Sequence, residues 1–202
     1  MRAVLRTLAL ILVAAAAQTA PAAAQQPPQQ QPQPQPQQQQ QPNPYTSNEV
    51  LDTGHRFFGT VARGLAQIVE KAASTWGLPN GYVLGQEAGG AITVGLRYGE
   101  GVLYTKNAGD LRVYWQGPSI GFDFGGEGAR TMMLIYNLPA TDAIYQRFAG
   151  IDGSAYFVGG LGMTALTINN IVVVPIRSGV GVRLGANIGY VKFTPQATWN
   201  PF

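Results

Sequence analysis

Catalytic chemistry has few residues to draw on in this chain. It holds one histidine, His55, and no cysteine. A serine nucleophile would need His55 to meet Ser119, Ser154 or Ser178 and a carboxylate through folding alone, because no local spacing brings them together. A zinc or copper site would have to be built from carboxylates around that one histidine, and no cluster has ligand spacing. No metal and no cofactor are therefore expected. The 26 glycines form neither a Walker loop nor a GxGxxG between strand and helix. Glu100, Asp123 and Glu127 could converge as the paired carboxylates of a glycan-acting hydrolase, but nothing in their spacing selects them. The chain reads as a non-enzyme.

Recognition is the chemistry that remains. Arg97, Arg130, Arg177 and Arg183 each stand within or at the start of an apolar run. Guanidinium groups placed there need acids, and Glu87, Glu100, Asp123 and Glu127 are near in sequence. Such pairs form either an internal ion-pair network or the wall of an anion site. Arg97, Arg130 and Arg183 together with Trp115 are the candidate binding residues, since an aromatic face and forked cations suit acidic glycans or lipid headgroups. Trp76, Trp115 and Trp199 could stack on sugar, the alternative being the core or rim of a small barrel.

Short strands must position these residues. In the stretch from Gly81 to Tyr104, Ile92, Val94, Leu96 and Tyr98 alternate with Thr93, Gly95 and Arg97, the period of a strand with one buried face. Gly89–Gly90 and Gly99/Gly101 bracket that run, marking turns or close backbone approach. The same grammar predicts strands at 82–87, 90–98, 100–106, 110–116, 119–124, 130–137, 153–160, 162–169, 171–177 and 180–193. Their short connections make neighbours antiparallel. Thr46 and Glu49 have capping-box spacing ahead of an apolar stripe, Val50, Gly54, Phe57, Val61, Leu65, Ile68 and Ala72, which predicts one long helix over 47–75. Pro139 to Phe148 reads as a short helix. The fold class expected is mainly β: a small closed antiparallel barrel of about eight to ten strands, with one long N-terminal helix and one short helix.

Ahead of this domain, expected over 45–202, two segments have other logic. Residues 1–24 place Arg2 and Arg6 before an apolar run and end in an A-x-A pattern at Ala22 and Ala24, as a cleaved signal peptide does. That run is shorter than the roughly twenty residues of a membrane-spanning helix, so no integral anchor is expected after cleavage. Residues 25–44 are almost wholly Gln and Pro, a disordered linker with nothing to bury. The formal net charge is +3, and removing Arg2 and Arg6 leaves eleven basic residues against ten acidic. With lysines at 71, 106 and 192 alone and no basic cluster, no nucleic-acid partner is expected.

The strings PNGYVLGQEAGGAITVGLRYGEGVLYTKNAGD, WQGPSIGFDFGGEGARTMMLIYNLP, VPIRSGVGVRLG and KFTPQATWNPF resemble the envelope integrity protein A family of Gram-negative periplasmic proteins, over roughly 45–202. The resemblance implies a secreted small β-barrel in the periplasm, needed for envelope integrity and stress resistance, with no catalytic residues to carry over. YGEGVLY, SIGFDFGGEGARTMMLIYN and GSAYFVGGLG are more distantly similar to the SYLF lipid-binding domain. Expected partners are thus an envelope component: a glycan, a lipid or a periplasmic protein. The rival readings are a lipid-binding SYLF-like module and a small outer-membrane barrel.

Overall fold

A computed structural model describes residues 43–59, 64–90, 94–120, 129–178 and 189–200. The expected signal peptide and most of the Gln/Pro linker lie outside these residues, as do Asp123, Glu127 and Arg183. The elements are helices α1 (Ser47–Phe58) and α2 (Leu65–Trp76), then strands β1 (Gly81–Gly90), β2 (Val94–Thr105), β3 (Gly109–Ile120) and β4 (Ala129–Tyr136). A 3-10 turn (Thr141–Ile144) leads to β5 (Arg147–Gly150), β6 (Tyr156–Val158), β7 (Leu161–Met163), β8 (Leu166–Ile168), β9 (Ile171–Ser178) and β10 (Tyr190–Thr194).

The strands pair in the order β4-β1-β2-β3-β10-β5-β8-β9, and β9 pairs with β4 to close an antiparallel barrel of eight strands. Beyond β8, the same edge of β9 also carries β7, which pairs in turn with β6. Among the described residues, closure leaves no long exposed edge in a glycine-rich sheet. Period-two alternation sends Val83, Leu103, Val113, Met133, Ile135, Val173, Val191 and Phe193 to the interior, where they form one apolar core with Phe148 and Ile144.

A second core lies outside the barrel. Met132, Leu134 and Tyr136 of β4 and Val174 and Ile176 of β9 meet Val50, Leu65, Ile68, Val69 and Ala72 of the two helices. This is why β4 and β9 are apolar on both faces. Each fully buried Leu, Ile or Val contributes about 1.5–3 kcal/mol, enough to hold helices too short to persist alone. The capping box forms as expected: the Thr46 amide donates to Glu49 Oε2 at 2.7 Å and the Glu49 amide to Thr46 Oγ1 at 3.3 Å.

Three expectations are corrected. The single helix over 47–75 is a pair, because Gly59 ends α1 at φ +83° and α2 restarts after Gly64. The two then cross closely, a Cβ on Gly54 being 2.5 Å from the Leu65 side chain. The segment expected as a short helix turns once at Thr141–Ile144 and then extends as β5, which the barrel needs between β8 and β10. Gly99 and Gly101 do not break the chain: strands expected at 90–98 and 100–106 are joined in β2, and these glycines serve close packing instead.

Candidate functional site

One end of the barrel interior is polar, and its register follows from the same alternation. Glu87, Gly99, Trp115 and Phe193 lie in one row across β1, β2, β3 and β10. A Cβ on Gly99 would fall 2.1 Å from the indole of Trp115, so only glycine lets that ring lie across β2. The ring reaches toward Gly85, whose Cβ would be 2.7 Å from Trp115 Cη2. From there Trp115 Nε1–H donates to Glu87 Oε2 at 2.9 Å. On the other side of β1, the pairing of Thr131 with both Gly85 and Arg177 brings β9 to the same level. Arg177 Nε donates to Glu87 Oε1 at 3.0 Å and Nη2 to Oε2 at 3.4 Å.

Glu87 is thus the centre of the arrangement, 9% exposed, with Trp115 1% and Arg97 4% exposed. Arg97 stands on the inner face of β2, two residues from Gly99. Burial by itself would push the Glu87 carboxyl up, but the charges of Arg177 and Arg97 and the bonds from Trp115 and Arg177 hold it below the usual carboxylate range. The carboxylate therefore stays ionised, fixing the Arg177 guanidinium and the Trp115 indole, with the charge of Arg97 nearby. Thr131 faces the same interior, fully buried, its hydroxyl without a hydrogen-bond partner among the described residues.

Of the four candidate residues, the structure brings Arg97 and Trp115 together. Arg130 points the other way: its exposed side chain donates from Nη1 to the Phe57 carbonyl at 2.7 Å, tying the last turn of α1 to β4. Arg183 lies outside the described residues. Arg177, which closes the apolar run VVVPIR, was visible in sequence as an arginine needing an acid, and its pairing with Glu87 across 90 positions was not. His55 is exposed on α1. Ser154 Oγ donates to the Ile151 carbonyl at 2.6 Å and accepts from the Ala165 amide at 2.9 Å, a structural use of the hydroxyl. Trp76 packs on Tyr136 in the outer core, whereas Trp199 is 82% exposed. Among the described residues no three His, Cys, Asp or Glu side chains gather as a metal set, and no helix is long and apolar enough to cross a membrane.

Comparison with known proteins bears on this arrangement in three ways. A crystal structure from Brucella abortus, described as a beta-barrel-like protein, is similar to the chain with 57% identity and a TM-score of 0.73. The match covers 79% of this chain and 99% of that one. No curated protein matches. The likeness to the SYLF domain finds no support in these comparisons. The sequence profile of the Envelope integrity protein A family matches residues 43–202, which include every described element of barrel and helices. This chain belongs to that family.

Proposed function

We propose that the protein is a non-enzymatic periplasmic barrel that supports the cell envelope, and its resistance to stress, by binding an acidic envelope component at the polar end of the barrel. One observation carries the reading: Arg177 and the indole of Trp115 both bond Glu87, and the charge of Arg97 acts on the same carboxylate, a preorganised set of forked cations and aromatic surface. The family match supports an envelope-related role. The secretory pattern of residues 1–24 supports export to the periplasm.

The outer-membrane alternative is less favoured by the outer surface. An exposed Arg112–Glu100 ion pair at 3.1 Å sits on the outer face of β2 and β3, and helices cover β4 and β9, where a lipid-facing barrel would present apolar side chains.

Complementation tests the proposal. In a strain lacking the protein, Arg97→Gln and Arg183→Gln variants should accumulate with native circular dichroism yet fail to restore resistance to envelope stress. Loss of folding in both variants would assign the arginines to the core and overturn the binding role. Turnover of murein fragments or lipids by the purified protein would overturn the non-enzymatic reading.

A further inference from the structure

The hairpin of α1 and α2 is attached to the barrel differently from any strand. Both helices precede β1 in the chain, so one connection, Gly77 to Asn80, joins them to the wall. Its barrel end is fixed: Asn80 is buried, and its side chain donates to the Leu138 carbonyl at 2.9 Å and accepts from the Leu138 amide at 3.1 Å. Its helix end is open, since Gly77 takes φ +80° with nothing within 4 Å of a Cβ there, and Leu78 is exposed. Among the described residues no backbone hydrogen bond joins either helix to a strand. The seam can therefore part without breaking a ladder.

Apolar contact under the helices and a few polar ties at the rim hold it shut. Lys106 Nζ meets Glu49 Oε1 at 2.9 Å, Arg130 donates to the Phe57 carbonyl at 2.7 Å, and the Tyr45 amide donates to the Pro79 carbonyl at 2.7 Å. The ion-paired side chains are 31% and 46% exposed, so water replaces that tie at little cost. Beneath the ties lies a defect. Tyr136, packed beside Trp76 and 1% exposed, has a buried hydroxyl with no hydrogen-bond partner among the described residues. Burial pushes its pKa up. That hydroxyl goes without a partner only while the helices cover it, and uncovering lets water satisfy it. The barrel does not share this weakness. Its interior core is a separate cluster on the other face of the wall, and β4 and β9 pair through their backbones whether or not the helices lie over them.

We propose that the hairpin is a strap that peels from the closed barrel about Gly77, uncovering the apolar face of Met132, Leu134, Val174 and Ile176 while the ring of strands stays intact. Once lifted, helices of 12 residues each do not persist, so the peeled state is a locally unfolded strap on a folded barrel. The Tyr136 hydroxyl biases the strap toward opening, and the rim ties bias it toward closure.

The chain has no cysteine, so a thiol introduced into it reports alone. Val173 and Val174 are neighbours on β9, both 0% exposed, with Val173 in the interior core and Val174 in the seam. In native buffer Val174→Cys should react with a thiol reagent about tenfold or more faster than Val173→Cys, after correction for each variant's own stability, because exposing Val173 requires the barrel itself to unfold. Labelling of Val174→Cys should also depend less steeply on urea, as an opening that exposes less surface does. Tyr136→Phe, which removes the hydroxyl and keeps the ring, should slow labelling of Val174→Cys by about fivefold or more. Should either cysteine variant fail to fold, Ile176→Cys in the seam and Ile135→Cys in the interior core replace the pair. Equal labelling rates and equal urea slopes at the two positions would mean that the hairpin leaves only when the barrel unfolds, and the strap would be overturned. It is overturned equally if Tyr136→Phe leaves the labelling of Val174→Cys unchanged or speeds it.

Discussion

Replacing Glu87 by Gln would leave the half-buried Arg177 without its carboxylate and remove the nearby negative charge from the buried Arg97. Breaking one side of a buried pair costs about 3–5 kcal/mol, so Glu87→Gln should lower the urea midpoint markedly. The effect should depend on pH in a defined direction. Folding holds this carboxyl below its ordinary value of 4.5, so the unfolded chain takes up the proton first on acidification. The stabilisation is complete above that value and drains away as pH falls through the folded-state value. The gap in stability between native protein and Glu87→Gln should therefore be widest near neutrality and shrink in acid. Gly99→Ala acts on the same group from the other side, since the new methyl would displace the indole that bonds Glu87. Overpacking of this kind costs about 1–3 kcal/mol and should alter the near-ultraviolet circular dichroism of Trp115. The sequence disclosed that Arg97 and Arg177 needed acids. It did not disclose which acid, because the choice rests on register across β1, β4 and β9, which no local spacing encodes.

At the scale of elements, the helical hairpin is the piece whose removal should be felt most widely. Leu65 is fully buried against β4 and β9, and Leu65→Asp would add an uncompensated charge to the loss of apolar contact. A loss of at least about 3 kcal/mol is expected, read as a fall in melting temperature. An unchanged melting temperature would mean that the hairpin does not stabilise the barrel. The capping box and the stripe were legible because both are local. The break at Gly59 was not, because Gly54, Gly59 and Gly64 recur at equal intervals and only tertiary context gives them different tasks: Gly54 admits Leu65, Gly59 takes the left-handed turn, and Gly64 lies against the Val158 carbonyl. The segment LPATDAIYQRF misled for a related reason. Its apolar spacing suits a helix, but Phe148 is needed on the inner face of a strand, where its ring meets Phe193 at 5.7 Å.

For the molecule as a whole, closure was foreseeable from short antiparallel strands with glycine-rich edges, and the strand order, with β9 closing on β4, was not, since pairing partners lie far apart in the chain. If the barrel is exported and free of the membrane, osmotic shock should release it without detergent; a heat-modifiable band in the membrane fraction would reverse that reading. The position of β10 carries a further consequence. Among the described residues β10 is inserted between β3 and β5, in the middle of the wall, rather than added at a margin. Until Tyr190–Thr194 is in place, β3 and β5 each offer an edge that this strand would otherwise pair, and the sheet is open and adhesive. Without Tyr190–Thr194 the ring has no continuity between β3 and β5, so one short strand decides whether the wall is a closed surface or a sheet with two open margins.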